Sequence, residues 1–461
     1  MNALNFINIF YTIDMINTIL TDTIFLYFLL TVAFFVIVSV PLFQYIRKKR
    51  RDIFEPVYLL TLTFLLQYWV KSVEAMTIGD AYLGTPPFSE ELIKILSIAW
   101  IYLILAFTLF LFAYYSKIGV AVANLFPPLR FQWSVKKSYF VVVILLLISV
   151  MAYVMLFEKL GGWHTYLTEK YFTLTTLGTS YLYFFTSFAS IALIISYVYL
   201  REFGRYRFAI FPIVLIFLVI AITSGTRSAL LTPLISLLVI RQYLARKNNS
   251  IIKKLKNWKI IIVVCLFILI VFPVILAMRY KPLGEIIKNP LTVYSDLSYL
   301  YFSIIGHYQS IAPFVNIIRD TPNVMDYQYG KTYLSALTQW IPRQIWENKP
   351  SSFAMVFTDT YFDGFYSRNK TIISPTVLGE AYINFHVGGI VVVALISGIL
   401  WRAIYQYFVI RNRNTLSSIF IFSILLPFTL IYWEGFLGAI YLPMATLIVG
   451  IITSVALKRR Q

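Results

Sequence analysis

The chain has 461 residues, 59% of them hydrophobic and 13% charged, which is about half the charged share of an ordinary soluble domain. Mean hydropathy is +0.77, and apolar stretches long enough to cross a bilayer recur along the chain. A soluble globular fold is therefore excluded, and an all-α polytopic membrane protein is expected. The formal net charge of +19 is spread between those stretches, which argues against nucleic acid as a partner.

Residues 1–23 lack the basic n-region and small-residue cleavage site of a signal peptide. Their Asn and Asp residues interrupt the apolar ones, so an interfacial helix is expected there and not a further span. Eleven transmembrane helices follow, at 24–45, 56–76, 93–114, 138–158, 177–200, 208–224, 228–245, 260–278, 387–409, 415–433 and 436–456. Alternate connections, with the chain's end, carry 25 of the 39 Lys and Arg residues: Arg47 to Arg51, Lys117 to Lys137, Arg201 to Arg207, Arg241 to Lys259, Arg402 to Arg413, and Lys458 to Arg460. Positive charge marks the cytoplasmic side, so these loops are expected inside, and the other connections and the N-terminus outside. The lone cysteine, Cys265, lies in a span and permits neither an intrachain disulfide nor a thiolate metal cluster. Residues 1–461 read as a single integral membrane domain.

The exception to short connections is 279–386, one large external loop region with nine Lys/Arg and two of the three His. Spans can be joined by far less, so function is expected here. Its stretch 298–317 is apolar enough to imitate a span, yet one more crossing would turn Arg411 and Arg413 outward. A short helix at or dipping into the outer surface is expected instead. Turn signals at Thr321-Pro322-Asn323 and Gly330 set off a second part, 331–350. The third, 351–374, is expected to be a loop or lid. Ser374-Pro375 reads as the cap and first residue of the helix that follows. A straight helix from Glu380 to Arg402 would rise about 33 Å, near the thickness of the hydrocarbon core. Arg402 at the inner boundary then sets Glu380 at the outer one, with Asn384 on the same face.

Several residues can carry chemistry. Arg227 lies in the tight turn Thr223-Ser-Gly-Thr-Arg-Ser228, where free N–H groups and a planar guanidinium suit phosphate; the alternative is an interfacial cation reaching for headgroups. Glu380, if desolvated, suits a general base; the alternative is a carboxylate stabilised by the helix dipole or by an Arg. Arg343 and Lys349 flank Trp346, a pairing suited to a glycan on a pyrophosphate and equally to an interfacial aromatic belt. Arg279 and Lys281 read as phosphate ligands or headgroup anchors. His307 and His386 are candidate bases and too isolated for zinc. No metal motif, phosphate-binding Gly-rich loop or serine-nucleophile motif is present, so neither metal nor cofactor is expected.

Three patches resemble the bacterial O-antigen polymerases, the Wzy-type family of oligosaccharide repeat-unit polymerases. They are Ser-Gly-Thr-Arg-Ser at 224–228, Ile-Pro-Arg…Trp…Lys-Pro at 341–350, and Leu-Gly-Glu-Ala-Tyr-Ile-Asn-Phe at 378–385. The plan of ten or more spans with one major external loop in the second half is similar too. The chain departs from the family at His386, where a small residue is usual. The resemblance implies a multi-pass protein of the bacterial inner membrane and a transferase acting on undecaprenyl-pyrophosphate-linked oligosaccharides. Both donor and acceptor would be lipid-linked, and a chain-length regulator is an expected partner. It further implies that Arg227 and Arg343 bind pyrophosphate and that Glu380 belongs to the active site. Asn384, His386, His307, Arg279, Lys281, Trp346 and Lys349 complete the expected substrate contacts. The expected reaction is a single displacement with inversion, without metal. The rival readings are an O-antigen ligase, which differs in acceptor, and a lipid-linked oligosaccharide flippase or other transporter, which favours charges near the bilayer midplane.

Overall fold

The computed structural model describes residues 3–47, 52–77, 83, 85–129, 132–159, 161–162, 165, 180–224, 227–247, 266, 269–275, 277–278, 281, 283–289, 293–294, 311–338, 341, 346–348, 352–362, 367, 372–433, 435 and 441–458, without the side chains of 3–22, 180–181 and 441–444. Among them every extended regular element is a helix. Six helices are long and apolar enough to cross a membrane: Thr23–Arg47, Glu90–Tyr115, Val135–Lys159, Leu182–Phe203, Arg227–Lys247 and Val377–Arg411. That is the make-up of a multi-pass helical membrane protein. Shorter apolar helices stand at Ile210–Thr223, Leu416–Leu430 and Ala445–Ala456, within three further expected spans. Of the expected span at 260–278, residues 266, 269–275 and 277–278 are described, and the rest lie outside the described residues. The chain's contacts fall into two compact units, each assembled from several separate stretches.

The first unit takes residues 1–122, 308–403 and 430–441. Helix α1 (Ala3–Arg47) runs unbroken through the stretch expected to be a separate interfacial helix. Its one proline is Pro41 and it contains no glycine, so the scattered Asn and Asp residues are too weak to stop it. Helix α1 packs along α2 (Pro56–Phe64) and α4 (Glu90–Tyr115). Phe34 meets Phe64 at 5.6 Å and Trp100 at 4.3 Å. Between α2 and α3 (Lys71–Thr77) the helix widens into a π turn, Leu65–Val70. Just beyond it, buried Lys71 pairs with Glu74 at 2.8 Å, which answers the cost of a charge inside a membrane protein. Trp433 is the hub of the unit. Its indole N–H donates to the Leu60 carbonyl at 2.9 Å, and its ring stands edge-on to Phe64 and Phe110.

The same unit holds short helices from the long gap: α12 (Ala312–Asp320), α13 (Lys331–Leu337) and α14 (Phe353–Tyr361). Stretch 351–374, expected as a loop or lid, therefore contains a helix with Phe353, Ala354, Phe357 and Thr358 buried. The Thr358 hydroxyl fixes the chain beyond it, accepting from the Ile373 N–H at 2.8 Å. The last helix, α15 (Val377–Tyr405), begins after Pro375, so that proline is not its first residue. Thr376 acts as the cap, its hydroxyl accepting from the Gly379 N–H at 3.1 Å, while Ser374 serves the Thr376 N–H.

Helix α15 is not straight. Phe385 (φ −143°, ψ 28°) and His386 (φ 54°, ψ −145°) break it into two halves. Gly389 lies so close to the first half that a Cβ there would stand 2.0 Å from the Ala381 carbonyl oxygen. The continuous rise expected from Glu380 to Arg402 therefore does not hold, and Glu380 cannot be levelled against Arg402 by counting residues. The second half packs tightly on α4, where a Cβ on Gly398 would meet the Phe110 carbonyl oxygen at 2.4 Å. At its far end Arg402 reaches Glu55 at 3.5 Å and lies 5.7 Å from the centre of the Tyr114 ring.

The second unit takes residues 123–307, 404–429 and 442–461. Helix α6 (Val135–Lys159) packs on α7 (Ser180–Thr186) and α8 (Phe188–Phe203), and α8 packs on α9 (Ile210–Thr223) and α10 (Arg227–Lys247). Helix α16 (Leu416–Leu425) lies against α10, with the Ser236 hydroxyl donating to the Ser423 carbonyl at 2.7 Å. The Trp133 indole N–H donates to Ser417 Oγ at 2.7 Å, and its ring stacks on Tyr199. Arg411 donates to the carbonyls of Ala123 and Phe126 at 3.0 and 2.7 Å, a structural use for one of the expected cytoplasmic cations.

Candidate functional site

Glu380 occupies the first turn of α15 and is 2% exposed. Its position follows from the Thr376 cap four residues earlier, whose carbonyl accepts from the Glu380 N–H at 3.0 Å. Tyr333 on α13 feels the Glu380 charge. Burial pushes the Tyr333 phenol well above the usual tyrosine range, and Glu380 raises it further, so Tyr333 stays a neutral hydroxyl across the physiological range.

Asn384, expected as a substrate contact, is fully buried and acts as a latch. Its Nδ2 donates to Thr332 Oγ1 at 2.7 Å and to the Glu380 carbonyl at 2.8 Å. Its Oδ1 accepts from the Gly330 N–H at 2.8 Å. These bonds use three of an amide's four hydrogen-bonding capacities. The Gln328 N–H adds a bond to the Ile383 carbonyl at 2.8 Å. Gly330 sits at φ 87°, where a side chain is unfavourable, and a Cβ there would approach Phe385 at 3.4 Å. Together these bonds hold segment 328–333 against the half-helix that carries Glu380.

The break itself lies in an aromatic cluster. The His386 ring is 4.8 Å from Tyr382 and 5.9 Å from Tyr327, centre to centre. Tyr382 is 5.6 Å from Tyr102 on α4 and 6.5 Å from Tyr327, which is 6.2 Å from Tyr329. Tyr382 is buried, Tyr102 and Tyr327 are half-buried, and His386 and Tyr329 form the exposed rim of the cluster. Both rim residues have left-handed backbones, φ 54° at His386 and φ 43° at Tyr329. Such conformations cost about 1–3 kcal/mol and persist only where the surroundings enforce them.

Outside this cluster, Arg319 lies bidentate on Asp320, at 2.7 and 3.0 Å, and reaches the Leu83 carbonyl at 3.3 Å. The bond to Asp320 holds the Arg319 guanidinium above its ordinary range. Trp346 is exposed, with a turn after it at Glu347 and Asn348. Arg343, Lys349 and His307 lie outside the described residues.

In the second unit, Arg227 is the first residue of α10 and is 5% exposed. The hydroxyls of its turn are bonded locally, Thr223 to the Val219 carbonyl at 2.6 Å and Ser224 to the Ala221 carbonyl at 2.7 Å. A small cavity beside them is lined by Tyr153, Tyr183 and Ile220. Lys281 forms an exposed pair with Glu285 at 3.7 Å, a contact worth less than about 1 kcal/mol. Arg279 lies outside the described residues. Among the described residues no group of three or more His, Cys, Asp or Glu is placed to hold a metal ion.

The sequence reading missed the tyrosines. The chain has 34 of them, so none stands out by type. The usable signals were local: Tyr327-x-Tyr329 after a turn, and Tyr382 four residues before His386.

A protein-family comparison matches residues 301–425 to a domain of unknown function, DUF8712. The matched stretch contains Glu380, Asn384 and His386, together with Tyr327 and Tyr333, and ends with the last residue of α16. No curated protein and no solved structure matches the chain.

Proposed function

We propose that the chain is a polymerase of lipid-linked polysaccharide repeat units in the bacterial inner membrane. In this reading eleven spans cross the bilayer, and 279–386 faces the periplasm. The observation that carries it is Glu380, a buried carboxylate in the first turn of a half-helix that is broken from its continuation. A carboxylate at the start of a helix facing a bound sugar hydroxyl is suited to accept its proton.

The acceptor is an undecaprenyl-pyrophosphate-linked repeat unit whose non-reducing sugar hydroxyl attacks the anomeric carbon of the growing chain. The new glycosidic bond forms as the carbon–oxygen bond to pyrophosphate breaks. Glu380 takes the hydroxyl proton, and undecaprenyl pyrophosphate leaves with the electron pair. Pyrophosphate needs charge more than acid at this step. Arg227, which belongs to the other unit, is assigned to pyrophosphate charge on its own evidence of burial at a helix start. Replacing it by Ala is expected to lower polymerisation about 100-fold or more, and Lys is expected to restore only part, for want of the guanidinium fork. A stably expressed Arg227→Ala protein making wild-type chain lengths would withdraw that role.

One observation favours the transporter reading. Broken helices are frequent where transporters hold substrate, and α15 is broken at Phe385 and His386. The product of Glu380→Gln separates the two. A polymerase lacking its base leaves single repeat units exported and no longer chains. A transporter lacking an essential Glu380 leaves lipid-linked units on the cytoplasmic side and exports none.

A further inference from the structure

We propose that the cluster formed by Tyr102, Tyr327, Tyr382 and His386 is a glycan subsite that holds sugars beyond the reacting one. This rests on the polymerase reading and adds a binding surface to it. Three observations carry the inference. The rings form one contiguous aromatic patch graded from buried Tyr382 to exposed Tyr329 and His386. Each ring offers an apolar face with a polar tip, the combination that suits a sugar, which has an apolar C–H face and a rim of hydroxyls. Purely lipid-facing surface needs no such tips. Tyr329 and His386 are both in left-handed backbone, a conformation that persists only where the surroundings enforce it.

The cluster is also distinct from the Glu380 surroundings. Glu380 and Asn384 stand four apart on one flank of the half-helix, and Tyr382, two residues from each, lies on another. The latch at Asn384 fixes both flanks together, because it ties Gly330 and Thr332 to the same half-helix that carries Tyr382. A repeat unit of several sugars has residues away from the reacting hydroxyl, and the cluster is suited to hold those.

The test uses the whole protein in nanodiscs and free oligosaccharides released by mild acid from the producing cell's polyprenyl-linked pool, so that lipid and phosphate are absent. Binding is read by saturation-transfer NMR, with inorganic pyrophosphate and empty nanodiscs as controls. The wild type is expected to bind the oligosaccharides. Tyr327→Ala is expected to weaken binding about tenfold, and Tyr327→Phe to keep most of it, because stacking survives without the hydroxyl. Equal binding in Tyr327→Ala and wild type, or no binding by the wild type, overturns the subsite. Chain growth from lipid-linked units is measured in parallel. Binding that depends on Tyr327 in a wild type that makes no polymer keeps the subsite and sinks only the polymerase.

Discussion

At the residue scale, Asn384 and His386 illustrate how differently two neighbouring polar side chains are used. Asn384 spends its amide on Gly330, Thr332 and the Glu380 carbonyl. Asn384→Ala is therefore expected to cost about 2–4 kcal/mol, because it strands buried partners as well as losing bonds. Asn384→Asp keeps the acceptor for Gly330 but sets a buried oxygen against the Glu380 carbonyl, and should cost at least as much. Thermal unfolding in detergent checks both, and an unchanged midpoint in Asn384→Ala would show that the latch is not needed. His386 has the opposite character, with a strained backbone and an exposed ring. His386→Gly should relieve the φ 54° conformation and raise stability by about 1 kcal/mol. It should at the same time weaken glycan binding and chain growth. A variant with full activity would leave the imidazole without a role. From sequence, Asn384 reads as a substrate contact because helical spacing reveals a shared face. Spacing cannot reveal that Gly330 and Thr332, over fifty residues earlier, occupy the amide.

At the scale of elements, the long apolar helices were legible because composition alone marks them. Thr23–Arg47, Glu90–Tyr115 and Val135–Lys159 enclose the expected spans at 24–45, 93–114 and 138–158. The break in α15 was only half legible. Gly388-Gly389 marked a place where the helix could bend, yet the backbone departs from helical geometry at Phe385 and His386, which have no breaker character. The reason lies in tertiary packing: Gly389 must reach the Ala381 carbonyl, and the preceding residues absorb the turn. The two glycines accordingly have opposite expected tolerances. Gly389→Ala places a Cβ 2.0 Å from a backbone oxygen and should destabilise by about 3 kcal/mol or more, with loss of activity. Gly388→Ala meets nothing within 4 Å and should be neutral or stabilising by up to about 1 kcal/mol. Equal tolerance at both positions, measured by unfolding midpoint and chain length, would mean that the break opens freely.

At the scale of the whole molecule, the distribution of Lys and Arg sets the expected orientation, and it can be checked apart from any chemistry. In a Cys265→Ala background, Leu337→Cys should react with an impermeant thiol reagent in cells with a permeabilised outer membrane. Arg413→Cys should react only after the inner membrane is opened; the reverse pattern would turn the protein over. The central claim is that Glu380 is the base of a glycan-polymerising reaction. The most direct measurement follows the products of purified protein in detergent with lipid-linked repeat units and EDTA, without nucleotide. The account predicts a ladder of lengthening chains from the wild type and at least about a 100-fold slower ladder from equally folded Glu380→Gln. It would be contradicted by a wild-type protein that leaves the units unjoined, or by Glu380→Gln joining them at the wild-type rate.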